Sequence, residues 1–193
     1  DTLENAGSIE ATWRVGEWRL KSTTAMAGFS SLRQNDGDFS ANVHALEYLD
    51  EEADSFTQEV QVASSDAGRL QWVAGAFYLH DDLRYRFVFD RLTVDVDTDG
   101  DPEPASAPTD TLSPGIDVQN LETLETTSRA VFGHATVTLS PGLRATAGAR
   151  WTRDAKTYSL LNELTGRYNL GFGGASVQDM QDSWTKVTWK AGL

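Results

Sequence analysis

Hydrophobic and polar residues alternate along several separate stretches of this chain. The clearest stretch covers residues 143–152, where every second position is apolar: Leu143, Ala145, Ala147, Ala149 and Trp151. Successive side chains of a β-strand point to opposite faces, so a period of two predicts a strand with one apolar and one polar face. The same pattern predicts seven strands, at residues 8–15, 18–29, 55–63, 70–79, 128–139, 143–152 and 184–193.

The connections between these strands alternate strictly in length. Short turns follow the first, third and fifth strands, whereas long loops are predicted at about 30–54, 82–125 and 153–182. Successive connections of an up-and-down meander lie at opposite ends of the sheet, so the short turns share one end and the long loops the other. This asymmetry is typical of outer-membrane barrels, which have short periplasmic turns and long extracellular loops. Several strands also reach ten residues, the length of a tilted membrane strand.

The charged residues of the last two strands lie on one face. Arg144 and Arg150 alternate with the apolar residues of the sixth strand, and Lys186 and Lys190 with those of the seventh. Charged side chains avoid lipid, so we expect these four cations to face the lumen of a barrel. They are therefore our candidates for contact with a ligand.

Three tryptophans lie close to the ends of predicted strands. Trp18 and Trp72 are near short turns, and Trp151 is near a long loop. Tryptophan is enriched where a membrane meets water, so we predict that all three are membrane-interface aromatics. The alternative is that they are core aromatics of a soluble sheet.

These patterns predict an all-β fold. We expect an antiparallel up-and-down meander of about seven strands, forming part of a transmembrane β-barrel with long extracellular loops. The predicted location is the bacterial outer membrane, whose lipid would contact the apolar face. The chain begins at Asp1, without an initiator methionine or a signal peptide, and we expect it to be a fragment or a mature piece.

The net charge of -13 is concentrated in two segments. Residues 30–57 contain seven acidic residues and one basic residue, and residues 90–125 contain ten acidic residues and one basic residue. The acidity therefore belongs to the predicted loops, and a chain of this kind lacks the basic patches that nucleic-acid binding requires. The chain has no cysteine, which excludes disulfide frameworks and thiolate zinc sites.

One acidic loop resembles the start of a calcium-binding loop. Asp95, Asp97 and Asp99 alternate and are followed by Gly100, as at the start of an EF-hand. The bidentate glutamate of that motif would fall at position 106, which is Ser106, and no helix pattern flanks the loop. A looser Ca²⁺ site and a solvated acidic loop both stay open, and no other cofactor is predicted.

No group of residues in the sequence suggests catalysis. His44, His80 and His134 are far apart, and an ordinary polar lining role is the simpler interpretation of each. The sequence contains no nucleophile elbow, phosphate loop or zinc motif. We therefore predict that the protein is not an enzyme.

Several motifs occur in a specific order. A Gln-Glu strand and a short turn precede Trp-x-x-Gly-x-Phe-Tyr, and Phe-Gly-x-Ala-Thr, a turn and Ala-Gly-x-Arg-Trp-Thr-x-Asp follow. They fall within the segments SFTQEVQVASSDAGRLQWVAGAFYLHDD, SRAVFGHATVTLSPGLRATAGARWTRDAKTY and SWTKVTWKAGL. In this order the motifs resemble the barrel domain of TonB-dependent receptors.

The resemblance carries implications for fold and function. It implies that residues 1–193 are part of a 22-stranded barrel, without the N-terminal plug domain of such receptors. It implies energised uptake of a scarce small-molecule ligand of the siderophore, cobalamin or glycan type. It also implies that the TonB complex acts through regions not present in this sequence.

Two other classes of protein remain as alternatives. A soluble β-sandwich binding module, specific for carbohydrate or calcium, would hide the apolar strand faces between two stacked sheets. A secreted β-rich enzyme would need acid and base groups clustered on adjacent strands.

Overall fold

The computed structural model describes residues 1–36, 45–65, 68–91, 94–96, 111–113, 116–166 and 174–193. The strands in these ranges are β1 (Thr2–Val15), β2 (Trp18–Asp36), β3 (Ala45–Ala63), β4 (Leu70–Arg91), β5 (Val94–Val96), β6 (Thr111–Ser113), β7 (Ile116–Ser140), β8 (Leu143–Gly166) and β9 (Gly174–Gly192). Among the described residues, no helix is long and apolar enough to cross a membrane.

Seven strands form one antiparallel sheet in the order β1-β2-β3-β4-β7-β8-β9. Each strand pairs with the strand that follows it in the sheet, which is the up-and-down meander predicted from the alternation of connections. The short strands β5 and β6 form a separate two-stranded ladder within the insert between β4 and β7. The predicted all-β meander of seven strands is confirmed, and the ladder of β5 and β6 is an addition to it.

Two of the short turns depend on glycine. Gly16, in the turn between β1 and β2, has a φ of 62°. Gly142, between β7 and β8, has a φ of 86° and follows Pro141, the order of residues that a type II turn favours. Because residues with a Cβ rarely adopt positive φ, glycine allows each strand to reverse within two residues.

The strands are longer than the alternating pattern predicted. Strands β2, β4 and β8 continue to Asp36, Arg91 and Gly166, into ranges that were predicted as loops. The predicted loop boundaries at 30–54, 82–125 and 153–182 are therefore wrong for much of their length. The extensions of β2 and β8 carry polar residues on both faces, so their alternation ends. In β4 the alternation is reversed, with Asp82, Arg84 and Arg86 on the face that is apolar nearer the turn. Backbone pairing with the neighbouring strand continues in all three.

The described strands do not enclose a packed interior. Among the described residues, only Ala130 and Ser31 are buried, and Ile9 and Trp189 retain 75% and 78% of their exposure. The seven long strands form one sheet, in which each strand contacts its ladder neighbours. The two stacked sheets that the soluble β-sandwich alternative requires are therefore absent from the described part of the chain.

Candidate functional site

The two faces of the sheet differ sharply in chemistry. Residues directly opposite each other in a ladder share a face, and Ala147 lies opposite both Ala135 and Ala191. Near the short turns, this apolar face carries no charged side chain along about nine residues of each strand. These stretches are 7–15, 18–26, 55–63, 70–78, 131–139, 143–151 and 185–193. Nine residues, each advancing about 3.4 Å and tilted by about 40°, rise by about 23 Å, close to the apolar band of a membrane barrel.

The opposite face carries the charges of the same stretches. Its charged residues are Glu10, Arg14, Arg19, Lys21, Glu59, Arg144, Arg150, Lys186 and Lys190. Lys21 and Glu10 form an ion pair across β1 and β2, with 2.8 Å between Nζ and Oε2. This segregation separates a face suited to lipid from a face suited to water.

Aromatic residues flank the apolar band on its own face. Trp18 and Trp72 meet edge to face near the short turns, with 6.4 Å between their ring centroids. Phe56 and Tyr78 lie 6.2 Å apart towards the other end, and Trp151 stands opposite Val131 nearby. Trp18, Trp72 and Trp151 therefore have the placement expected of interface aromatics, and that role stays a prediction.

The polar face is concave. A pocket of about 530 Å³ is lined by residues of β1 to β4 that belong to this face, among them Glu10, Arg14 and Lys21. A larger pocket of about 860 Å³ lies further from the short turns and draws on strands from β1 (Glu4) to β8 (Lys156). A pocket shared by strands so far apart in the sheet requires the sheet to curl, which turns the polar face inward.

A third pocket brings two of the predicted site residues, Arg150 and Lys190, together. It has a volume of about 340 Å³, and Gly148 is among the residues that line it. The polar-face side chains around it are Phe132, His134, Arg150, Thr188 and Lys190. We call this set the cationic pocket, because it places a guanidinium and an ammonium group around one cavity.

Two aromatic rings hold Arg150 in the cationic pocket. Its guanidinium carbon lies 5.6 Å from the ring centroid of Phe77 and 5.7 Å from that of Phe132. Its Nε donates a hydrogen bond of 3.1 Å to Thr152 Oγ1. The Phe132 ring lies over Gly75, where a Cβ would stand only 2.6 Å from the ring. Such cation–π contacts fix the direction of the positive charge.

The structure places two of the four predicted lumen residues, Arg150 and Lys190, in the cationic pocket, and Lys186 is on the neighbouring part of the same face. Lys186 lies opposite Thr152 and Lys190 opposite Gly148, on either side of the pair formed by Arg150 and Thr188. Arg144 lies nearer the short turn and donates a hydrogen bond of 3.4 Å to Gln71. Six residues of strand separate it from Arg150, which corresponds to about 20 Å. Arg144 is therefore outside the cationic pocket.

The aromatic residues that contact Arg150 were not among the residues predicted from the sequence. Phe77 and Phe132 occur at polar-face positions, where alternation predicts polar residues. The sequence did contain a signal for them: each of two neighbouring strands has an aromatic residue at a position where the alternation predicts a polar one. His134, for which the sequence favours an ordinary lining role, lines the pocket beside Gly148.

The pocket of about 860 Å³ was also not predicted from the sequence, because several of its lining side chains are small. Ala6, Ala27 and Ala53 leave the space, and Lys156 contributes a cation at its edge.

Tyr158 follows Lys156 on the same face. Loss of hydration raises its pKa, and a hydrogen bond to Glu122 and the negative charge of that carboxylate raise it further. The phenol therefore remains a neutral donor.

The calcium prediction lies outside what the structure describes. Asp95 is in β5 opposite Leu112, but its side chain and residues 97–110 are not among the described parts. Within the described parts, no three His, Cys, Asp or Glu side chains are grouped so as to hold a metal ion. The Ca²⁺ prediction at Asp95, Asp97 and Asp99 therefore stays a prediction.

Comparisons with known proteins support the fold. No known family profile matches the chain. No curated protein matches it either. The crystal structure of the ferric yersiniabactin uptake receptor FyuA from Yersinia pestis aligns over 98% of this chain with a TM-score of 0.61 and 14% identity. OmpT of Vibrio cholerae and the β domain of the Bordetella autotransporter BrkA align with TM-scores of 0.13, too low to carry an argument.

The alignment with FyuA covers 25% of that receptor. The chain therefore spans about a quarter of the length of its structural neighbour. At 14% identity the likeness shows the fold alone: the sheet of this chain matches a segment of that protein's structure.

Proposed function

We propose that this chain is part of the wall of an outer-membrane uptake receptor of the TonB-dependent type, and that its cationic pocket contacts an anionic group of the ligand. The observation that carries the proposal is the separation of faces: an uncharged apolar convex face with aromatic ends, and a charged concave face. Such a sheet is stable when lipid covers one side and water fills the other.

The chemistry of the pocket favours a negatively charged ligand group. Arg150 and Lys190 present positive charge beside the aromatic ring of Phe132. A ligand with a carboxylate or phenolate and an apolar body would find complementary groups in this arrangement. We propose a scarce ligand of the siderophore, cobalamin or glycan type, with the siderophore type fitting the charge best. The TonB complex would supply energy through regions outside this chain.

The test replaces cations of the polar face in the full-length protein. We expect Arg150→Gln combined with Lys190→Gln to reduce uptake by about tenfold or more, because each charge-assisted contact contributes about 1.5–3 kcal/mol. Growth is measured with a ferric siderophore, cobalamin or an oligosaccharide as the limiting nutrient. Heat-modifiable migration on gels verifies that the variant barrel is folded.

Arg144→Gln is the matched control within the same face, since Arg144 lies outside the pocket. It should reduce uptake less than the double variant. Unchanged uptake for single variants at Arg144, Arg150, Lys186 and Lys190 alike would reject the role of this face in ligand contact.

A further inference from the structure

Two arginines face each other across β7 and β8 on the apolar face of the sheet. Arg129 and Arg153 are directly opposite in the ladder, two positions beyond the pair of Val131 and Trp151 and next to it on the same face. Both side chains are exposed. Like charges at directly opposed positions repel each other, so the pair is unfavourable unless an anion neutralises it.

Within the described residues no carboxylate performs this neutralisation. Neither guanidinium forms an ion pair with any described residue. Arg129 lies over the ring of Tyr78, with 5.9 Å between its guanidinium carbon and the ring centroid. This contact uses the face of the Arg129 guanidinium and not its N–H groups. Since no described residue forms an ion pair with Arg153 either, both side chains can donate to an outside acceptor.

The position of the pair identifies the depth of that acceptor. Tyr78 and Trp151 mark the end of the uncharged band. Arg129 lies directly opposite Tyr78, and Arg153 lies two residues, or about 7 Å, beyond Trp151 along β8. Thr185 lies directly opposite Arg153, and Thr127 lies next to Arg129 on the side away from the band, so both place hydroxyl groups near the arginines on the same face. A group bound here would have hydrocarbon on one side and water on the other.

We propose that Arg129 and Arg153 form a clamp for the phosphate of a membrane-lipid headgroup on the long-connection side of the bilayer. Arginine binds phosphate through parallel N–H donors, and two guanidinium groups match the charge of a phosphate monoester. The lipid's acyl chains would lie along the apolar face beside Val131. This inference rests on the proposed membrane location, but it does not depend on the ligand of the cationic pocket.

The experiment uses the full-length folded protein in detergent and native mass spectrometry to measure lipid binding. The probes are phosphatidic acid, diacylglycerol with the same acyl chains, and inorganic phosphate. We expect Arg129→Gln with Arg153→Gln to weaken phosphatidic acid binding by about tenfold or more, and diacylglycerol to bind weakly to every variant. The single variant Arg153→Gln should give a smaller loss and retain a folded barrel.

Two further variants sharpen the test. Arg84→Gln removes a cation from the same face but far from the apolar band, opposite Glu52, and should bind phosphatidic acid as the unmodified protein does. Replacing both clamp residues by lysine keeps the charge but loses the planar fork, so its affinity should fall between the two extremes.

Wild-type affinity in the double glutamine variant would overturn the proposal. If equimolar inorganic phosphate displaces phosphatidic acid, the site binds free phosphate and the proposal of a lipid headgroup is wrong. If the double glutamine variant loses phosphatidic acid binding but keeps normal nutrient uptake, the result supports the clamp and separates it from the uptake proposal. A chain that folds and stays monomeric without detergent would instead remove the membrane location on which both proposals rest.

Discussion

At the scale of single residues, the polar groups of the apolar face are the informative exceptions. Gln58 lies on that face between Thr24 and Tyr78. Its Nε2 donates a hydrogen bond of 2.9 Å to Ser22 Oγ, and its Oε1 accepts one from Thr24 Oγ1. In hydrocarbon no water replaces a lost partner, so these three side chains must satisfy one another.

The hydrogen bond from Thr24 gives a test of this environment. Thr24→Val keeps the shape of the side chain but removes the donor, and leaving Gln58 Oε1 one donor short should destabilise the barrel by about 1–3 kcal/mol. The free energy of unfolding in urea, measured on protein folded into lipid vesicles, checks this value. Thr57→Val is the matched control, because Thr57 lies on the polar face, where water replaces a lost hydroxyl. Equal losses in both variants would contradict a lipid environment for Gln58.

At the scale of strands, register determines which side chains share a face. The Cα pairing continues without interruption along β4 and β7, and one irregularity between Thr138 and Ser140 marks the approach to the turn before β8. Because a shift of one residue would move every side chain to the other face, this register keeps charge away from the apolar band.

Neighbouring positions of β8 test the assignment of faces. Ala147→Arg should prevent stable insertion into bilayers or cost about 2–4 kcal/mol, because the new charge would stand near the middle of the apolar band. Thr146→Arg, one residue away on the polar face, should insert normally. The measurement is the fraction of folded protein after refolding into vesicles, read from heat-modifiable migration. Normal insertion of the Ala147 variant with failure of the Thr146 variant would reverse the assignment.

At the scale of the whole molecule, the sheet has two free edges in the described part of the chain. Strand β1 pairs only with β2, and β9 pairs only with β8. Both edges present unpaired backbone groups, and the apolar face between them includes exposed Trp13, Met26 and Val187. Closure with further strands would satisfy the edges, and lipid would cover the face.

The isolated chain of 193 residues is therefore expected to aggregate in water and to require detergent for solubility. Size-exclusion chromatography with and without detergent measures this directly. A stable monomer in buffer alone would contradict the membrane assignment, because a soluble monomer rarely exposes so large an apolar surface.

Sequence alone determined the number of long strands, the positions of the short turns between them and the two faces of each strand. Alternation and turn glycines are local properties of the chain. The sequence correctly placed Arg150, Lys186 and Lys190 on one face, since that follows from phase along two strands. Only the tertiary structure decided which of these cations meet at a pocket, because strand register and sheet curvature are not local. The same cause hid the facing pair of Arg129 and Arg153, which are close only after β7 and β8 have paired.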